Sequence, residues 1–135
     1  MAGPIIREEY QNCFVCGKAN PIGLKVDFCY DEDGFARAHL QLDKHFEGYP
    51  GLIHGGILST LLDEVMAKAV IHSGKIAFTA RLNVIFRTPL PPQGVIQLEG
   101  QIVSVRSRTI NTKARIYDAD HVYAEAEAVF IVPKS

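Results

Sequence analysis

Only one long stretch of this chain repeats with a helical period, and the segments around it alternate as strands do. From Gly56 to about His72 the apolar residues Ile57, Leu58, Leu61, Leu62, Val65, Met66, Ala69 and Val70 fall in adjacent pairs four apart. That spacing makes a wide apolar face, so a helix spanning 56–73 must be mostly buried, with Gly74 as its C-terminal stop. A solitary buried helix needs a sheet large enough to cover it.

The strands for that sheet are legible on both sides. Leu24, Val26, Phe28 and Tyr30 share one parity, Asp31-Glu32-Asp33-Gly34 reads as a hairpin turn, and Ala36, Ala38, Leu40 and Leu42 follow in phase. After the helix, Phe78, Ala80, Leu82, Val84 and Phe86 alternate up to the proline-rich Thr88–Pro92 segment. Runs at Val95–Val105, Thr109–Tyr117 and Val122–Val132 complete the set. Short turns favour antiparallel pairing. The expected architecture is α+β, a curved antiparallel sheet around one central helix. Residues 1–21 are expected to run over the surface, and the glycine-rich stretch from Lys44 to Gly56 to form an ordered loop.

At 135 residues the chain is one domain, 1–135. A formal net charge of -1 gives no electrostatic footprint for nucleic acid. No apolar run approaches the roughly 18 residues that span a bilayer, and MAGPIIREEY does not read as a secretory signal. Three cysteines argue against a disulfide-stapled secreted domain, so a cytoplasmic location is expected. Cys13-x-x-Cys16 is half of a zinc site, but no second Cys or His pair follows at a suitable distance, so no metal is expected. Neither a Gly-x-Ser-x-Gly elbow nor a glycine-rich nucleotide loop is present, and no cofactor is implied.

Chemistry concentrates at Gly48-Tyr49-Pro50-Gly51-Leu52-Ile53-His54-Gly55-Gly56 and in Asp63 on the following helix. Two glycines at a helix entrance either permit a tight turn or leave backbone N–H groups open to hold a developing oxyanion. Asp63 lies on a stripe of mostly small residues with Gly56, Ser59, Thr60, Met66 and Ala67. A carboxylate on a buried helix is costly unless it is paired or used. Glu64, one position round, is the weaker candidate and could instead form a salt bridge. If residues 55–63 are helical, Gly55 and Asp63 are roughly 12 Å apart along the axis at about 1.5 Å per residue. One helix then cannot bring both to one reacting group. An antiparallel second copy could, which would give two equivalent sites in a two-fold dimer.

The strand-strand-helix-strands order together with HGGILSTLLDEVMA resembles the hotdog-fold thioesterases, particularly the phenylacetate-pathway type. The segments from Asn12 to Gly17, Asn20 to Leu24, Phe46 to Gly51 and Thr79 to Pro89 carry the resemblance over nearly the whole chain. It implies an acyl-CoA thioesterase working without metal as a homodimer, or as a homotetramer built from two dimers. The Gly55 N–H would polarise the thioester carbonyl, His54 would shape that end of the site, and Asp63 of the partner would act as nucleophile or general base. Thr79 falls where relatives place a hydroxyl that orients the carboxylate or water. Gly56 and Tyr49 would line the substrate site, and Met66, Val70, Phe78 and Phe86 an acyl pocket. Arg87 and Arg108 are the better candidates for the CoA phosphates. Some members have an asparagine six positions before the histidine; here it is Gly48. Two other readings of the fold are an acyl-thioester hydratase or dehydratase and a non-catalytic acyl-CoA sensor.

Overall fold

The computed structural model of the chain describes residues 10–134. Helix α1, Gly55–His72, lies against a six-stranded sheet made of β1 (Cys29–Tyr30), β2 (Ala36–Leu40), β3 (Phe78–Phe86), β4 (Ile96–Arg106), β5 (Thr109–Tyr117) and β6 (Val122–Ile131). Spatial order is β1-β2-β4-β5-β6-β3, with every neighbouring pair antiparallel. This is the hotdog fold. The helix follows β2 and precedes β3, which joins the sheet at the edge opposite β1.

The core forms because the two periods meet. Leu58, Leu61, Leu62, Val65, Met66, Ala69 and Val70 of α1 are buried. They face Ile96 and Leu98 of β4, Ile110 and Ile116 of β5, and Ala124, Ala126, Ala128 and Phe130 of β6, also buried. Each large side chain removed from water there contributes on the order of 1.5–3 kcal/mol before conformational entropy is charged against it. Gly100 sets the depth of the contact, since a β-carbon on it would lie 2.8 Å from the Val65 carbonyl oxygen. Thr112, the buried polar residue in this layer, donates its hydroxyl to the Ala128 carbonyl at 3.1 Å.

Three sequence expectations need correction. The alternating run from Leu24 is not a strand until Cys29. Lys25 has φ 55, which interrupts extended backbone. Residues 24 and 26 bond to the N-terminal turns instead, Leu24 N–H to the Phe14 carbonyl and Val26 N–H to the Val15 carbonyl, both at 2.8 Å. The N-terminal segment is therefore more than a surface coil: Val15 is buried in the core, although residues 1–9 lie outside the described region. The clean alternation of β3 is broken by a bulge between Thr79 and Arg81, leaving Phe78 65% exposed. The glycine-rich loop is ordered as expected, with a short 3-10 turn at Lys44–Phe46 and a bridge between Glu47 and Ile53. Among the described residues no helix is long and apolar enough to cross a membrane.

Candidate active site

The entrance to α1 is built by its own N-cap. His54 is extended at φ -61 and ψ 131, and its Nδ1 accepts the Gly56 N–H at 2.8 Å. An accepting Nδ1 places the ring proton of the neutral imidazole on Nε2. The His54 N–H donates to the Phe46 carbonyl at 2.8 Å, which ties the cap to the preceding loop. Gly48 supports the ring from behind; a β-carbon there would lie 3.1 Å from His54 Cδ2. At the position where the family resemblance leads to an asparagine side chain, this chain therefore has a backbone that packs on the histidine. Tyr49, at the tip of the same loop, is 82% exposed.

The two glycines are not equivalent. Gly56 spends its N–H on His54, whereas the Gly55 N–H has no acceptor among the described residues. Gly55 is the first residue of α1 and sits at the positive end of the helix dipole. A β-carbon on it would lie 3.4 Å from Phe86 Cζ, so the Phe86 ring at the end of β3 walls this N–H on one side.

Asp63 lies two turns along α1, half-buried. The Thr79 hydroxyl, at the start of β3, donates to Asp63 Oδ1 at 2.7 Å. The other carboxylate oxygen has no hydrogen-bond donor among the described residues. β3 thus carries one half of the constellation at each end, Thr79 with Asp63 at its beginning and Phe86 beside Gly55 at its close. Between them the chain presents Leu82, Asn83 and Val84 along an edge with no strand beyond it among the described residues. Phe78, Ile85 and Phe86 on this edge are all more than half exposed.

The predicted arginines stand apart from this constellation. Arg87 donates through Nε and Nη2 to Glu125 Oε1 at 3.0 and 2.8 Å on the outer face of the sheet. It lines a groove of about 540 Å³ there, with Asn83, Lys113, Arg115 and Glu127. Arg108 donates to the Val132 carbonyl at 3.2 Å, by the β4–β5 turn. Neither is hydrogen-bonded to Gly55, Asp63 or Thr79. The apolar candidates divide: Met66 and Val70 are sealed in the core, while Phe78 and Phe86 are open. Glu64, set aside in the sequence, turns toward the N-terminal segment rather than toward Thr79. It pairs with Lys68 at 3.5 Å and accepts from the Cys13 thiol at 3.5 Å. No local sequence signal could have joined Glu64 to Cys13, which is 51 residues away.

Comparisons with known proteins agree with this architecture. The family model described as thioesterase superfamily matches residues 50–125, from the loop before α1 into β6. Acyl-coenzyme A thioesterase THEM4 of Mus musculus is 33% identical over 89 residues, 64% of this chain. The match spans 38% of the mouse protein's length. A crystal structure of a thioesterase superfamily protein superposes with TM-score 0.83 at 33% identity, covering 87% of this chain and 61% of that one. A hypothetical thioesterase from Streptococcus pneumoniae, crystallised with coenzyme A, shares the fold at TM-score 0.75 and 20% identity, covering 82% of this chain and 90% of that one. Two variants of that protein are also known, one with an aspartate and one with a threonine changed to alanine, sixteen positions apart.

Proposed function

The chain belongs to the thioesterase superfamily, and from that premise we propose that it hydrolyses acyl-CoA thioesters at two equivalent sites, each shared between two copies. The observation that carries this reading is the Thr79–Asp63 hydrogen bond at one end of an unpaired edge strand whose other end flanks the free Gly55 N–H. Pairing β3 with β3 of a second copy, antiparallel about a two-fold axis, brings the Asp63 end of each copy toward the Gly55 end of the other. The streptococcal aspartate and threonine have the same sixteen-residue separation as Asp63 and Thr79, which supports treating them as a pair.

In the shared site the Gly55 N–H of one copy holds the thioester carbonyl oxygen and strengthens its hold as negative charge develops. The Phe86 ring keeps water from that side. Asp63 of the other copy acts on the carbonyl carbon in one of two ways. As nucleophile it forms an acyl-enzyme anhydride and releases the CoA thiolate; water then cleaves the anhydride and regenerates the carboxylate. As general base it takes a proton from water, whose oxygen attacks directly, and passes that proton to the departing thiolate. Thr79 orients the carboxylate in both cases. His54 holds the helix entrance open, with Gly56 and Tyr49 on the substrate's path. Arg87 and Arg108 are the proposed phosphate contacts, so Arg87→Ala or Arg108→Ala raises KM for acyl-CoA with little change in kcat. Assembly of two dimers into a tetramer and a cytoplasmic location belong to the same proposal, the latter supported by three free cysteines.

The test is thiol release from short-chain, medium-chain and aryl acyl-CoAs by the native protein and by Asp63→Asn. We expect native turnover, with a loss of about 10²–10⁴-fold in a variant that retains its thermal midpoint. A native protein that binds acyl-CoA but releases no thiol across the panel would be a sensor rather than an enzyme.

A further inference from the structure

Beside the Asp63 stripe of α1, four side chains from two segments about fifty residues apart converge. Cys13 and Cys16 come from the N-terminal turns, and Glu64 and Lys68 from the helix. Cys13 Sγ, Cys16 Sγ and a Glu64 carboxylate oxygen all lie within 4.8 Å of one another. Lys68 Nζ donates to Cys16 Sγ at 3.1 Å, and the Lys68 and Glu64 side chains are only 12% and 19% exposed. From this juxtaposition of two thiols and a carboxylate we propose a structural zinc site with Cys13, Cys16 and Glu64 as protein ligands, pinning the N-terminal turns to the central helix.

Three features argue for a metal rather than a chance cluster. The first is spacing. Zinc bonds of about 2.3 Å to sulfur and about 2.0 Å to oxygen, at a tetrahedral angle, separate those two atoms by roughly 3.5 Å. Cys13 Sγ and Glu64 Oε2 are 3.5 Å apart. The second is the shape of the turn. The Cys16 N–H points at Cys13 Sγ at 3.4 Å and the Gly17 N–H donates to the Cys13 carbonyl at 2.9 Å. One amide therefore points at the first sulfur while the next closes the turn on the carbonyl, which holds the two sulfurs on the same side of the Cys-x-x-Cys turn. Gly17 is required by this tight turn, since a β-carbon would lie 2.3 Å from the Gln11 carbonyl oxygen. The third is charge. Zinc displaces the two thiol protons to solvent, and two thiolates with one carboxylate are balanced by the divalent ion and the Lys68 ammonium. Lys68 then serves as a hydrogen-bond donor to the Cys16 thiolate rather than as a ligand. A cavity of about 260 Å³ lined by Cys16, Lys68, Tyr10 and Phe28 adjoins the Cys16 side of the cluster, and a water from it would supply the fourth ligand.

The sequence shows only half of this site, because the third ligand arrives through folding. The full chain, without an affinity tag that binds metal, is reduced, incubated with zinc and dialysed into metal-free buffer. We expect one zinc per chain by elemental mass spectrometry, in the native protein and equally in Asp63→Asn. The Cys13→Ser/Cys16→Ser variant retains none, and Glu64→Gln weakens zinc more than tenfold in competition with a chromophoric chelator. Cobalt(II) in the native chain then shows thiolate-to-metal charge transfer and the strong visible bands of a tetrahedral ion. That spectrum decides the question if the double-serine variant fails to fold. Zinc no higher than in a cysteine-free control, cobalt without the thiolate band, or a Cys13–Cys16 disulfide that persists through reduction would each overturn the site.

Discussion

The two edges of the sheet are finished in opposite ways. At one edge β1 is only two residues long, and the chain leading to it turns away at Lys25 to bond with the N-terminal turns. That edge offers almost no backbone to a second chain. At the other edge β3 runs for nine residues with Phe78, Ile85 and Phe86 more than half exposed. A long apolar edge is a template for pairing and is normally blunted by charge, proline or brevity. Here only the first edge is blunted. The contrast singles out the open edge as the one the proposed function uses, since the Thr79–Asp63 pair and the Gly55 N–H flank its two ends.

Charge placed on the open edge gives the largest expected effect. Phe78→Lys combined with Ile85→Lys sets like charges against each other across a two-fold axis. We expect the mass by light scattering to fall from two or four chains to one, with loss of thioesterase activity. Cys29→Lys at the short edge leaves both unchanged. Equal effects from the two edges would end the distinction between them.

A smaller effect is expected from removing one hydrogen-bond donor at the far end of β3. Proline fits the first position of a helix, where its missing N–H is not needed for the helical ladder. His54 is already in the extended conformation that a following proline requires. Gly55→Pro should therefore fold normally and lower kcat by about 10²–10³-fold, while Gly55→Ala, which keeps the N–H, stays close to native. At the near end, Thr79→Ala removes the hydroxyl that orients Asp63. A hydrogen bond to a charged group is worth about 1.5–3 kcal/mol, so a loss of roughly ten- to a hundred-fold in kcat is expected. Steady-state kinetics of the three variants checks both ends.

The smallest effect lies on the outer face of the sheet, away from either edge. Glu99 accepts from Arg37 at 2.7 Å, Arg115 at 2.6 Å and Tyr117 at 3.1 Å. Burial pushes its carboxyl up, but bonds to Arg115, then Arg37 and Tyr117, hold it below the usual glutamate value. A depressed carboxylate stabilises the fold above its unfolded value and loses that contribution as pH falls through the depressed one. Glu99→Gln should cost about 1 kcal/mol near neutrality, after screening of its partly exposed partners, and flatten the acid limb of the thermal midpoint. A midpoint that falls equally at all pH values would contradict this.

Much of the fold was legible because burial has a period. The apolar pairs of α1 and the alternation of β4, β5 and β6 each record a surface facing one core, and the observed bounds differ from the expected ones by about a residue. The run from Leu24 misled because its apolar residues do face the core, yet its hydrogen bonds go to the N-terminal turns rather than to a strand. Periodicity reports burial and is blind to pairing. The same limit applies to the site. Gly55 was a candidate from the paired glycines at the helix entrance, and Asp63 from its place on a stripe of small residues. The proposed second copy came from the distance between them, and Thr79 from family resemblance. That Gly56 gives its N–H to His54, and that Glu64 turns toward Cys13, depends on side-chain contacts that no one-dimensional pattern encodes.

In the proposed dimer each active site takes Gly55 from one chain and Asp63 from another. Gly55→Pro and Asp63→Asn chains carrying different affinity tags are co-expressed, and the mixed dimer is isolated by passage over both resins. Each parent homodimer is inactive. In the mixed dimer one site joins a native Gly55 to a native Asp63 and the other carries both defects, so roughly half of native turnover is expected. A mixed dimer no more active than its parents would place both groups of each site within one chain and contradict the account.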